Sequence, residues 1–178
     1  MRVVSPQTLS EAERRLVAAW AADCADHVLH VFAAACPDDE RPRELIARTR
    51  AFARGELGTA EEIRRRFEGG VGRNEATTPA AAAAARSAGQ AVAVAHMGAH
   101  ALSAAGYAAL AAGLAEPGRP GARDDELDWQ LGHMTGEVRD ALRRLPAAGE
   151  NASGPLGPGL LTRGPVGEII RELQRRLA

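Results

Sequence analysis

The chain contains no lysine, and all 22 of its basic side chains are arginine. The glycine-rich stretch Gly69-Gly-Val-Gly-Arg-Asn74 therefore lacks the ammonium of a P-loop, and no strand precedes it, which excludes nucleotide hydrolysis of that kind. Aromatic residues make up only 3% of the sequence, and no period-2 segment rich in β-branched or aromatic residues occurs, so no β-sheet is expected. Charge of one sign is also missing. A net charge of -1, from 22 basic and 23 acidic groups, gives no electrostatic footprint for nucleic acid. Cysteine is limited to Cys24 and Cys36, without CxxC spacing. On one helix they would stand roughly 18 Å apart, beyond disulfide reach. Two unbridged thiols suit a reducing interior, and the N-terminal MRVVSPQTLSEAERR has no signal-peptide run, so the expected location is cytoplasmic.

What the chain does have is small apolar residues. At 178 residues and 46% hydrophobic content it is sized for one domain with a substantial core. Ala91 to Ala115 reads AVAVAHMGAHALSAAGYAALAAGLA, without a single charge. Its length would span a bilayer, but alanine and glycine dominate, two histidines interrupt it and no basic cluster flanks it. It reads instead as the buried central helix of an all-α, single-domain helical bundle, with no membrane partner. His96, His100, Ser103 and Tyr107 share one stripe of that helix.

Around this core the helix signals are frequent. Ser10-Glu-Ala-Glu13 has capping-box spelling and opens a helix that can run to Ala35, where Cys36-Pro37 stops it. Pro42 suits the start of a helix through Leu45, Ile46, Thr49 and Phe52 to Gly55, and Thr59-Ala-Glu-Glu62 spells a second capping box, with Ile63 and Phe67 on one face. Val71 to Thr78 reads as a loop. An unbroken helix from Pro79 to Ala115 would be too long for a compact domain, and Ser87-Ala-Gly-Gln90 is the expected break. Asp124 or Asp125 is placed to cap one helix with the stripe Leu127, Leu131, Met134, Val138, Leu142 and Leu145. Trp129, Gln130 and His133 lie off that stripe and face a second surface. The expected organisation is a bundle over 1–146, a flexible Gly/Pro linker over 147–165 and an amphipathic helix over 166–178, docked on the body or on another copy.

Three constellations could carry function. Asp23 and His27 flank Trp20 at i,i+4 spacing, and packing of the two long helices would gather Trp20, Asp23, His27, His96, His100 and Tyr107 into one polar cluster. His96-x-x-x-His100 also has the spacing of two metal ligands on adjacent helical turns, with Asp23, Cys24 or His27 as a third. No HExxH glutamate accompanies it, so no metal or cofactor is assigned and the cluster reads as structural. Cys24 and Ser103 have no oxyanion device, so no catalytic residue is assigned. The acidic starts Asp38-Asp39-Glu40 and Asp124-Asp125-Glu126 complement helix dipoles and, where exposed, steer a basic partner.

The run AAWAADCADHVLHVFAAACPDDERPRELIARTRAFARGE from Ala18 to Glu56, then AGQAVAVAHMGAHALSAAGYAA from Ala88 to Ala109, then ELDWQ from Glu126 to Gln130, resembles a bacterial family described as putative immunity proteins. Trp20, Asp23, Cys24, the Asp38 to Arg43 turn, the His96–His100 pair, Tyr107 and Trp129-Gln130 occur in that family's order, and the resemblance extends to about Leu145. Some similar sequences carry an exonuclease-subunit label, which the lack of a P-loop, long heptads or a carboxylate-rich metal motif does not support. The resemblance implies a helical protein that binds and neutralises a cognate protein toxin without catalysis. The candidate partner-binding residues are then Asp38, Asp39, Arg41, Arg43, Asp124, Asp125, Glu126, Trp129 and Gln130. The alternative is a metal-dependent enzyme with His96 and His100 as ligands. A third reading is a homo-oligomer formed through the Val166–Leu177 helix.

Overall fold

The computed structural model describes residues 5–72 and 75–178. Arg73 and Asn74 of the expected Val71–Thr78 loop, and residues 1–4 of the N-terminal stretch, lie outside the described residues. The fold is all-α: α1 (Glu11–His27), α2 (Leu29–Ala35), α3 (Arg41–Ala53), α4 (Thr59–Arg64), α5 (Pro79–Ala93), α6 (His100–Ala115), α7 (Ala122–Gly132), α8 (Gly136–Arg143) and α9 (Gly164–Leu177).

The alanine-rich stretch is a hairpin of two helices. Ser87 donates from α5 to the carbonyl of Ala104 on α6 (2.7 Å), and Gln90 meets His100, so the two run antiparallel. Alanines 81, 84, 88 and 91 of α5 and 101, 104, 105, 108 and 109 of α6 are buried, and side chains this small let the helix axes approach closely. The fold centres on α6, which packs against α1, α5, α7 and α9. Gly106 is where α9 comes nearest, since a Cβ there would stand 3.0 Å from Ile170 Cγ1 and 3.3 Å from Val166 Cγ2.

The break in the alanine run falls at Val94–Ala99, not at the expected Ser87–Gln90, where helix continues. The cause is tertiary. Gly98 N–H donates to Thr8 O and Ala99 N–H to Gln7 O, both at 2.9 Å, while the Arg14 guanidinium donates to the carbonyls of Ala95 (3.0 Å) and Leu9 (2.9 Å). The stretch before α1 thus satisfies backbone groups that a helix would pair internally. Leu9, at φ 61, lays its side chain where any Cβ on residue 98 would sit, so position 98 takes glycine.

Other boundaries shift in the same way. The Ser10–Glu13 capping box forms as read, but the helix bends by 41° at Val28 before continuing to Ala35. Thr59 is the first residue of α4 and not its cap, and Phe67 is 85% exposed under the Arg66 guanidinium. Glu62 is the buried side chain of α4, paired with Arg48 at 3.0 Å. The stripe from Leu127 to Leu145 lies on two helices, because Thr135 caps α8 by accepting from Val138 N–H. No single helix among the described residues is long and apolar enough to cross a membrane.

Ala147–Pro165, expected as a flexible linker, is packed. Leu156 is fully buried and Thr162 nearly so, and the Thr162 hydroxyl donates to Gly157 O at 2.6 Å. Beyond it, α9 docks on its own chain with Val166, Ile169, Ile170, Leu173 and Leu177 buried.

Candidate partner-binding face

Three rings stack where the end of α1 meets α7. His27 lies parallel to Trp129, centroids 3.6 Å apart and planes within 2°, and His133 stacks on Trp129 at 4.0 Å and 26°. Spacing accounts for part of this, because His133 follows Trp129 by one helical turn and donates from Nδ1 to its carbonyl at 2.8 Å. Packing of α7 beside α1 brings in His27.

A buried network fixes the stack from below. His27 Nδ1–H donates to Glu126 Oε2 at 2.6 Å. The Gln130 side-chain amide donates to Glu126 Oε1 (3.0 Å) and to Ala105 O (3.1 Å), and the Trp20 indole N–H donates to Gln130 O (2.9 Å). Glu126 is 5% exposed and Gln130 fully buried. A desolvated carboxylate is costly unless it is hydrogen-bonded, and here each oxygen has a donor. The result is a rigid aromatic ledge over a satisfied carboxylate.

The ledge sits between two clefts. One, of about 450 Å³, is lined by Asp23, Asp26, His27, Arg50, Trp129 and His133. Arg50 pairs with Asp23 at 3.1 Å and with Asp26 at 3.0 Å. The other, of about 270 Å³, lies toward Glu116, Arg119 and Asp125. There Arg119 pairs with Glu116 at 2.6 Å and also with Asp125. The Arg119 hydrogen bond holds the Glu116 carboxyl below its ordinary range. Across the face, four accessible carboxylates (Asp23, Asp26, Glu116, Asp125) meet two guanidiniums, Arg50 and Arg119, so acid dominates.

The expected single polar cluster divides. Trp20 and His27 join Glu126, Trp129 and Gln130, while Asp23 turns out to Arg50. His96 and His100 lie at the hairpin turn, with His100 Nδ1–H donating to Gln90 Oε1 at 2.7 Å. Tyr107 is buried with the Arg86 guanidinium 5.8 Å over its ring. His96 stands in the break and His100 opens α6, so they are not on adjacent turns of one helix, although their rings are 5.1 Å apart. Among the described residues no group of three or more His, Cys, Asp or Glu side chains could hold a metal ion, so the enzyme alternative has no third ligand of those types. Burial pushes the Cys24 thiol well up, with Glu126 and Asp23 adding to the effect, which disfavours a thiolate nucleophile. Ser103 is fully buried, and among the described residues its hydroxyl has no hydrogen-bond partner.

The candidate partner-binding residues separate as well. Glu126 and Gln130 are buried supports, Trp129 and Asp125 are accessible, and Asp124 pairs with Arg176 at 3.4 Å. In the Asp38 to Arg43 turn Asp38 is exposed, Asp39 pairs with Arg41 at 2.6 Å, Arg41 reaches Glu75 at 3.1 Å and Arg43 pairs with Glu40 at 2.7 Å. That turn spends its charge internally. Arg50, Glu116 and Arg119 of the face were not signalled, because nothing in a single sequence links α3 or the α6–α7 turn to Trp129.

A family model described as "Imm-5 like putative immunity protein" matches residues 7–137. The chain belongs to this family. The matched span holds the hairpin and the whole aromatic ledge, and ends before the packed loop and α9. No curated protein and no solved structure matches the chain.

Proposed function

We propose that this immunity-family protein binds and occludes a cognate bacterial toxin, without catalysis, through the face built on Trp129, acting in the cytoplasm. The observation that carries the reading is the His27–Trp129–His133 stack, an accessible aromatic ledge in a family of immunity proteins. Binding energy concentrates on large aromatic side chains in well-supported positions, and Trp129 loses little freedom on contact because both neighbours already order it. The surplus of carboxylates on either side selects a basic partner surface and speeds its approach.

The test is coexpression with a candidate cognate toxin. Growth rescue together with a stable complex on size-exclusion chromatography, both lost on Trp129→Ala with Asp125→Arg, is the expected result. Rescue without a complex, or with the toxin covalently altered, overturns it.

A further inference from the structure

A cleft of about 390 Å³ opens where the hairpin turn meets the packed loop, lined by His96, Met97, His100, Pro155, Leu160 and Leu161. The two imidazole centroids are 5.1 Å apart, with planes at 63°. Two imidazoles sharing one ion at a tetrahedral angle, each centroid about 3.2 Å from it, would stand about 5.2 Å apart. The observed spacing thus suits a shared ion.

The donors are also prepared. The bond from His100 Nδ1–H to Gln90 Oε1 fixes the tautomer and leaves the Nε2 lone pair free, as an outer partner does for a ligating histidine. Met97 adds a thioether to the same cleft, and among the described residues neither carboxylate nor thiolate lines it. A donor set without an anionic ligand, in a cleft walled largely by apolar side chains, penalises a dication more than a monocation. Thioether sulfur favours soft ions, and Pro155, Leu160 and Leu161 wall the cleft with apolar surface.

We propose that His96, Met97 and His100 form a binding site for one soft monovalent cation, of the Cu(I) class. It is a second site, independent of toxin binding, and involves no redox step.

The experiment titrates metal-free protein carrying Cys36→Ser, which removes the partly exposed thiol, with Ag(I) as a redox-inert probe and with Cu(I) held by bicinchoninate. Expected is one ion per chain, with a shift of the His96 and His100 imidazole nitrogen signals by NMR. His96→Gln and His100→Gln should abolish it with helical circular dichroism intact. Gln90→Leu should weaken it by about tenfold or more, the usual effect of losing an outer partner of a ligand. Met97→Leu, close in shape but without sulfur, should weaken Ag(I) by a similar factor. Three results overturn the proposal: no binding at micromolar Ag(I), binding that survives the two histidine variants combined, or equal affinity for Zn(II) and Ag(I) that Met97→Leu leaves unchanged.

Discussion

Gln7 and Leu156, at opposite ends of the sequence, are joined by a hydrogen bond in which Leu156 N–H donates to Gln7 Oε1 at 2.9 Å. The same side chain donates from Nε2 to Ser153 O at 2.7 Å, and its backbone carbonyl accepts from Ala99. One glutamine thus ties the hairpin turn to the Gly/Pro-rich loop. Gly154, at φ +80, has no room for a Cβ beside it.

Gln7→Ala should therefore destabilise the protein beyond the loss of one surface contact. It strands the buried Leu156 N–H and the Ser153 carbonyl, at a cost of about 1–3 kcal/mol. Hydrogen exchange should show loss of protection concentrated at 149–162 and 95–99. Protection unchanged in both segments would mean that the tie is not what orders the loop.

Gly106→Val should loosen α9. The added methyls meet Ile170 and Val166, and overpacking of this kind costs about 1–3 kcal/mol. Limited trypsin digestion should cut at Arg171, Arg175 or Arg176 well before the rest of the chain. A variant as resistant as the parent would show that α9 tolerates a wider gap.

Stability of the metal-free protein should fall as the solution is acidified. Burial lowers the His100 pKa from 6.5 to about 3, with His96 adding to the effect. Between these values the unfolded chain binds a proton that the folded chain refuses. Stability is then complete above pH 6.5 and declines toward pH 3, by up to about 1.4 kcal/mol per pH unit for this group. Chemical denaturation of the parent and of His100→Gln at pH 7.5 and 5.5 checks the sign, since carboxylates hardly titrate there. The parent should lose more stability than the variant, and equal losses would show that His100 protonates freely in the fold.

Trp129→Ala should cost about 2 kcal/mol or more of toxin affinity, the loss typical of an interface anchor, mainly through faster dissociation. Asp26→Arg, on the rim, should chiefly slow association and reduce its salt dependence. Surface plasmon resonance at two ionic strengths separates the two. An unaltered dissociation rate in Trp129→Ala would move the interface away from the ledge.

The sequence by itself determined the helical class and the starts of α1, α3 and α5. Ser10 with Glu13, Pro42 and Thr78 act within a turn or two of themselves, so their information is local. It also held Trp129 and His133 on one face, and the residue order that marks the family. The tertiary structure decided where the alanine run reverses. Glycine sits at 89 and at 98, and only position 98 is met by the carbonyl of Thr8 and the side chain of Leu9. The loop over 147–165 is packed for a similar reason, because one buried glutamine from the other end of the chain satisfies its backbone. The division of the polar cluster followed from packing as well. A helix pattern states which residues share a face, but which carboxylate stands opposite His27 depends on how α7 lies beside α1, and that is set by side chains distant in sequence.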